Sequence, residues 1–145
     1  MINTKLTRLA SKIAYKAHEG QTDKAGVPYI FHPIHIAEQM DSEESCVVAL
    51  LHDVIEDSDI TLEILSKYFN DDIIAALRVL TKKENDDYVM YIKRVKTNKL
   101  AAKVKIKDLE HNRDLTRLDK VTDRDKKRSM KYWEAIRYLE DIETI

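Results

Sequence analysis

The chain has 145 residues, with 25 basic and 26 acidic side chains for a formal net charge of -1. That length suits one domain with its own core, and the charge balance excludes a bulk nucleic-acid binder, which needs a strongly basic surface. A single cysteine, Cys46, rules out an internal disulfide, and no run approaches the ~18 apolar residues of a membrane span.

All the glycines and prolines lie in one stretch: Gly20, Gly26, Pro28 and Pro33. These are the strongest chain breakers, so the remainder, rich in Lys, Glu, Leu, Ile and Ala, predicts an all-α protein with one irregular loop. Leu6, Leu9, Ala10, Ile13, Ala14 and Ala17 form an i, i+3, i+4 stripe that predicts a helix over 4–18, ended by Gly20. Residues 20–33 form the loop. His32 precedes Pro33, which biases its backbone away from helix, so the next helix is predicted to begin at Pro33, with His32 at its entrance.

A short helix over 33–40 turns Ile34, Ala37 and Met40 inward. Ser42 then caps a central helix running from about 43 to 57, with Glu43 and Glu44 favouring its dipole. Thr61 caps a helix carrying Leu62, Leu65 and Phe69. Asn70 or Asp71 starts another with Ile73, Ile74, Leu77 and Leu80. Residues 82–87 are a polar connection. Tyr88, Tyr91, Ile92 and Val95 mark a helix over 87–97, and Leu100, Ala101 and Val104 mark one over 98–113. Asp123 is the expected cap of the last helix, which carries Met130, Trp133, Ile136, Arg137 and Leu139.

Two helices carry ionisable groups where the pattern calls for apolar ones. In the central helix, Leu50-Leu51 is followed by His52-Asp53, and Val54-Ile55 by Glu56-Asp57. Residues three and four apart share a helix face, so His52 sits over Glu56, and Asp53 over Glu56 and Asp57. In the later helix, Asp108 and Asn112 continue the inward face of Val104. Burying unpaired charge costs several kcal/mol, so such clusters point to a metal ion or a reacting centre. Each group also has a structural reading: Glu56-Asp57 as an acidic helix end, Asn112 as a helix terminus, and Lys103, Lys105 and Lys107 as a solvated face. His18, His35 and His111 read as supporting or surface groups.

The order His32…His52-Asp53…Asp108 resembles that of HD-domain metal phosphohydrolases. Ala17-His18-Glu19-Gly20-Gln21, Pro28-Tyr29-Ile30-Phe31-His32-Pro33, Leu51-His52-Asp53-Val54-Ile55-Glu56-Asp57 and Val104-Lys105-Ile106-Lys107-Asp108-Leu109-Glu110-His111-Asn112 are similar to the hydrolase domain of the bifunctional alarmone synthetase/hydrolases. The resemblance spans roughly residues 5–139 and implies an HD-domain helical bundle, a single hydrolase domain over residues 1–145, without a synthetase or regulatory domain. It further implies manganese, or another divalent transition metal, on His32, His52, Asp53 and Asp108. Glu56 and Asp57 would be the catalytic carboxylates, and Lys24 and Asn112 would hold the nucleotide.

The implied activity is removal of pyrophosphate from the 3′ position of guanosine tetra- or pentaphosphate. One position departs from the family pattern: Asp23 stands where an arginine ordinarily packs on guanine, and a carboxylate makes no cation–π contact. That departure keeps open an HD phosphohydrolase of another nucleotide. A catalytically silent nucleotide-binding domain is the third reading. The expected setting is cytoplasmic, with a small-molecule nucleotide as partner, no bulk nucleic acid and no membrane; the sequence leaves the oligomeric state open.

Overall fold

The structure, a computed structural model, describes residues 1–141. Its first helix, α1 (Lys5–Ala17), begins at a reciprocal cap: the Thr4 hydroxyl accepts from the Thr7 N–H, and the Thr7 hydroxyl oxygen accepts from the Thr4 N–H. The loop that follows holds a single bridge between Thr22 and Pro28. Gly26, at φ +83°, makes the tight reversal inside it, a conformation that costs glycine little.

α2 (Phe31–Ala37) starts two residues earlier than the Pro33 rule predicts, so His32 lies inside its first turn rather than before it. The first-turn N–H groups of a helix have no partner within it, so Pro33 withdraws no needed donor there. Ala37 and Met40 are buried as expected, Ile36 joins them, and Ile34 is only partly covered.

α3 (Glu43–Leu51) is the hub. Ser42 and Ser45 cap it reciprocally, and every residue from Ser45 to Leu51 is buried. It packs against α1, α2, α6 (Asp71–Leu80) and α8 (Lys99–Asn112). A helix apolar all round belongs at the centre of a bundle, and each fully buried leucine such as Leu50 or Leu51 contributes about 1.5–3 kcal/mol.

The single helix expected over 43–57 is broken. α3 ends at Leu51, His52 and Asp53 form a turn, and α4 (Val54–Asp57) resumes. The His52 imidazole bonds the Ala49 carbonyl at 2.6 Å, occupying the acceptor that a continuing helix offers to the Asp53 N–H.

α6 and α7 (Tyr88–Lys96) follow their predicted stripes, whereas α5 (Leu62–Leu65) ends a turn before Phe69, which is buried from the loop beyond it. After α8, a 3₁₀ turn (Leu115–Arg117) leads to α9 (Asp123–Glu140). Thr122, not Asp123, caps α9. Its hydroxyl accepts from the Asp125 N–H while the Asp125 carboxylate accepts from the Thr122 N–H, a closed pair that Asp123 cannot form. Ile136 and Leu139 face inward, whereas Met130 and Trp133 are exposed. No helix among the described residues is long and apolar enough to cross a membrane.

Candidate metal centre

The break between α3 and α4, the first turn of α2 and the third turn of α8 meet at one point. His32, His52, Asp53 and Asp108 each present one donor atom there, all within 4.8 Å of one another. His32 Nε2 lies 2.8 Å from Asp108 Oδ1 and 3.9 Å from Asp53 Oδ2. His52 Nε2 lies 3.1 Å from Asp53 Oδ2 and 3.4 Å from Asp108 Oδ1. Nitrogen and oxygen donors about 2.1 Å from a transition-metal ion sit roughly 3 Å apart when adjacent and about 4 Å apart when opposite. The observed separations match donors around one ion.

His52 supplies the chemical test of fit. Its Nδ1 faces the Ala49 carbonyl, which only accepts, so Nδ1 carries the proton. Its buried Nε2 has no hydrogen-bond partner and faces two carboxylates. Burial opposes a charge on His52, yet the neighbouring Asp53 and Asp108 hold its pKa well above the ordinary histidine value. Two carboxylates around two imidazole nitrogens form a donor set that suits a divalent cation. Histidine ligands of metals characteristically donate their other N–H to a carbonyl or carboxylate, as His52 does here.

The surrounding groups fix the carboxylates. Tyr29 donates its hydroxyl to Asp53 Oδ2 at 2.5 Å; burial, then the Asp53 charge, pushes its pKa far upward. Lys105 donates to Asp108 Oδ2 at 2.8 Å. Burial opposes its charge, but Asp108 beside it keeps it protonated. Asp108 would be raised by burial, yet the charges of Lys105 and His52 hold it well below the usual carboxylate range. Asn112 donates to Asp108 Oδ1 at 3.1 Å, although it is itself exposed at the helix end rather than inward as its spacing predicts.

Glu56 and Asp57 lie on α4 at the rim of this cluster, both exposed. Burial of the carboxyl group, then the charge of Asp53, raises the pKa of each. Glu56 Oε1 accepts from the Lys82 N–H, and the Asp57 carbonyl accepts from Gln21, whose Oε1 in turn contacts His18 Nδ1 at 2.8 Å. Gln21, held by His18, therefore ties the loop to α4.

A cavity of about 390 Å³ opens beside His32, lined by Lys24, Asn112, Arg117, Arg128 and Tyr132 among others. Its cations are paired: Lys24 Nζ lies 3.5 Å and Arg128 Nη1 3.3 Å from Asp125 Oδ1, and Arg117 Nη2 lies 3.3 Å from Asp23 Oδ2. Asp23 is thus not a free loop carboxylate. Its Oδ1 accepts from the Ala25 and Val27 N–H groups, closing the loop. Its pKa is lowered, because these hydrogen bonds and Arg117 outweigh desolvation.

The structure brings the four predicted metal-ligating residues together and sets Glu56, Asp57, Lys24 and Asn112 around them. Sequence reasoning missed Tyr29, Lys105 and Arg117. Lys105 had a usable signal, since it lies three residues before Asp108 on the same helix face; Arg117 sits in a 3₁₀ turn with no periodicity to mark it.

Fold and cluster define an all-helical protein in which the donor atoms of two histidines and two aspartates converge within the span of one ion. The chain belongs to the HD domain family, whose model matches residues 10–142. Among curated proteins it is similar to a guanosine-3′,5′-bis(diphosphate) 3′-pyrophosphohydrolase of Vibrio cholerae, 46% identical over 65 residues, 42% of this chain and 9% of that protein. It is also similar to the bifunctional (p)ppGpp synthase/hydrolase SpoT of Escherichia coli, 38% identical over 82 residues, 54% of this chain and 12% of that one. The matches thus span about a tenth of those relatives' length. The fold superposes on a metazoan ortholog of SpoT that hydrolyzes ppGpp, with a TM-score of 0.81 and 21% identity, covering 99% of this chain and 90% of that one.

Proposed function

We propose that this chain, as a single hydrolase domain, removes pyrophosphate from the 3′ position of guanosine tetra- or pentaphosphate in the cytoplasm. In this reading manganese is held by His32, His52, Asp53 and Asp108. The observation that carries the proposal is the unpaired Nε2 of His52 between two carboxylates, beside a cavity lined with cations. The activities of the proteins it is similar to supply the substrate class.

A bound divalent ion supplies Lewis acidity, lowering the pKa of water and offsetting charge on the phosphate. Glu56 takes a proton from the attacking water, and Asp57 orients that water from the adjoining position on α4. The raised pKa of each suits proton transfer better than an ordinary carboxylate does. The water oxygen bonds to the phosphorus on O3′, the P–O3′ bond breaks, O3′ gains a proton and pyrophosphate leaves. Lys24 and Asn112 hold the nucleotide in the cavity. Lys24 is ion-paired only loosely, so a phosphate can displace Asp125 from it.

A second reading, an HD phosphohydrolase of another nucleotide, is favoured by Asp23, which offers no cation where the family pattern has one. Purified protein assayed with manganese against a nucleotide panel tests both. We expect the highest kcat/KM on guanosine tetraphosphate, with pyrophosphate as product. Preference for another nucleotide selects the second reading, and metal binding without turnover of any nucleotide overturns the enzyme.

A further inference from the structure

His32 is gripped at both edges of its ring. Nε2 lies 2.8 Å from Asp108 Oδ1, a hydrogen bond whose proton a bound ion would replace, and Nδ1 lies 2.7 Å from Nδ1 of His111. Asp108 and His111 are three residues apart on α8 and so share a face toward His32. The His32 and His111 rings are nearly parallel, 12° apart, and the exposed His35 packs on His111 with centroids 4.2 Å apart. Two Nδ1 atoms at this distance need one proton between them: one ring donates and the other accepts.

We propose that His111 is the positioning residue that sets the tautomer of His32, its Nδ1 accepting the Nδ1–H of His32 so that the Nε2 lone pair faces the cation. The inference rests on the metal reading above. The opposite arrangement, with His111 donating, puts the proton of a neutral His32 on Nε2 and blocks that atom as a ligand. His52 achieves the same end with the Ala49 carbonyl, which can only accept. His32, in the first turn of α2, is given a side-chain acceptor from α8 instead. The remaining proton of His111 then sits on its own Nε2. Nothing in this role requires His111 to touch substrate.

Zinc serves as a diamagnetic probe for NMR on histidine-labelled protein. The expected result is a proton on Nδ1 of His32, an unprotonated Nε2, and a scalar coupling across the hydrogen bond between the two Nδ1 atoms. His111→Phe keeps a ring but removes the acceptor, and should weaken manganese affinity about 10–100-fold, the cost typical of losing such a partner. His111→Asn, which returns an acceptor near the same place, should recover most of it. Zinc-loaded protein without the coupling, or unchanged affinity in His111→Phe, overturns the proposal. If His111→Phe fails to fold, the coupling in the unmodified protein decides. Failure of the unmodified protein to bind any divalent ion instead overturns the metal reading.

Discussion

The cation cluster and the cavity beside it differ in how firmly their charges are held. His32, His52 and Asp108 are each 3% exposed, and every cluster member is also held by at least one group beyond it: His111, the Ala49 carbonyl, Tyr29 or Lys105. The cavity cations Lys24, Arg117 and Arg128 instead meet their carboxylates at 3.3–3.5 Å with side chains partly or largely open to water. A partner removed from a buried pair leaves a charge that costs several kcal/mol, whereas an exposed pair contributes roughly 0–1 kcal/mol. The interior thus fixes the chemistry as a unit, while the rim can exchange its ion pairs for ligand contacts at little cost.

The largest effect should come from cutting the interior. Asp108→Ala removes a donor and strands Lys105, so it should abolish metal binding and destabilise the fold by about 3–5 kcal/mol. Adding Lys105→Met should return much of that stability without returning the metal. Denaturant titration with metal analysis checks both, and equal stability of Asp108→Ala and the unmodified protein would erase the distinction between interior and rim.

Next in size is Glu56, which stands at the junction of the two regions. Glu56→Gln should lower kcat about 10²–10⁴-fold while metal content stays unchanged, because it removes a base and no donor. A base must be ionised. In the metal-free protein, burial and the charge of Asp53 raise the Glu56 pKa above its ordinary 4.5, so its carboxyl should titrate above that value there, and a bound cation should draw it down. An acid limb of kcat that survives Glu56→Gln would take Glu56 out of the role.

This difference also decides what the sequence disclosed. The four cluster residues were legible because burial makes polar groups break an apolar pattern, as His52-Asp53 does after Leu50-Leu51. The same burial hid the break between α3 and α4, since helical periodicity runs through His52 unchanged and only its bond to Ala49 interrupts it. The pattern points Lys105 to solvent because lysine usually faces it, yet Asp108 lies one turn away to neutralise it. At the rim, Asp23 could be read only as a missing arginine. Its partner Arg117 lies 94 residues away, and no local pattern joins them.

The smallest effects test the rim through Asp23, whose two functions separate by substitution. Asp23→Asn keeps an oxygen for the Ala25 and Val27 N–H groups and loses only the charge opposite Arg117. Stability should change by less than about 1 kcal/mol, as for exposed ion pairs. Asp23→Arg leaves the Ala25 and Val27 N–H groups without their acceptor and sets two guanidinium groups together, so it should cost about 1–3 kcal/mol from the hydrogen bonds alone. An arginine placed here supplies a cation able to stack on guanine, which by itself lowers KM. With the loop closed by the Asp23 carboxylate, that gain should be offset by disorder in residues 22–28, and KM for guanosine tetraphosphate should rise. Asp23→Asn frees Arg117 for an anionic ligand and should leave KM equal or lower, with kcat unchanged in both variants because the cluster is untouched. Steady-state kinetics on guanine and adenine substrates separates the outcomes. A lower KM in Asp23→Arg, selective for guanine, would show that the loop reads the base through this position without needing its carboxylate.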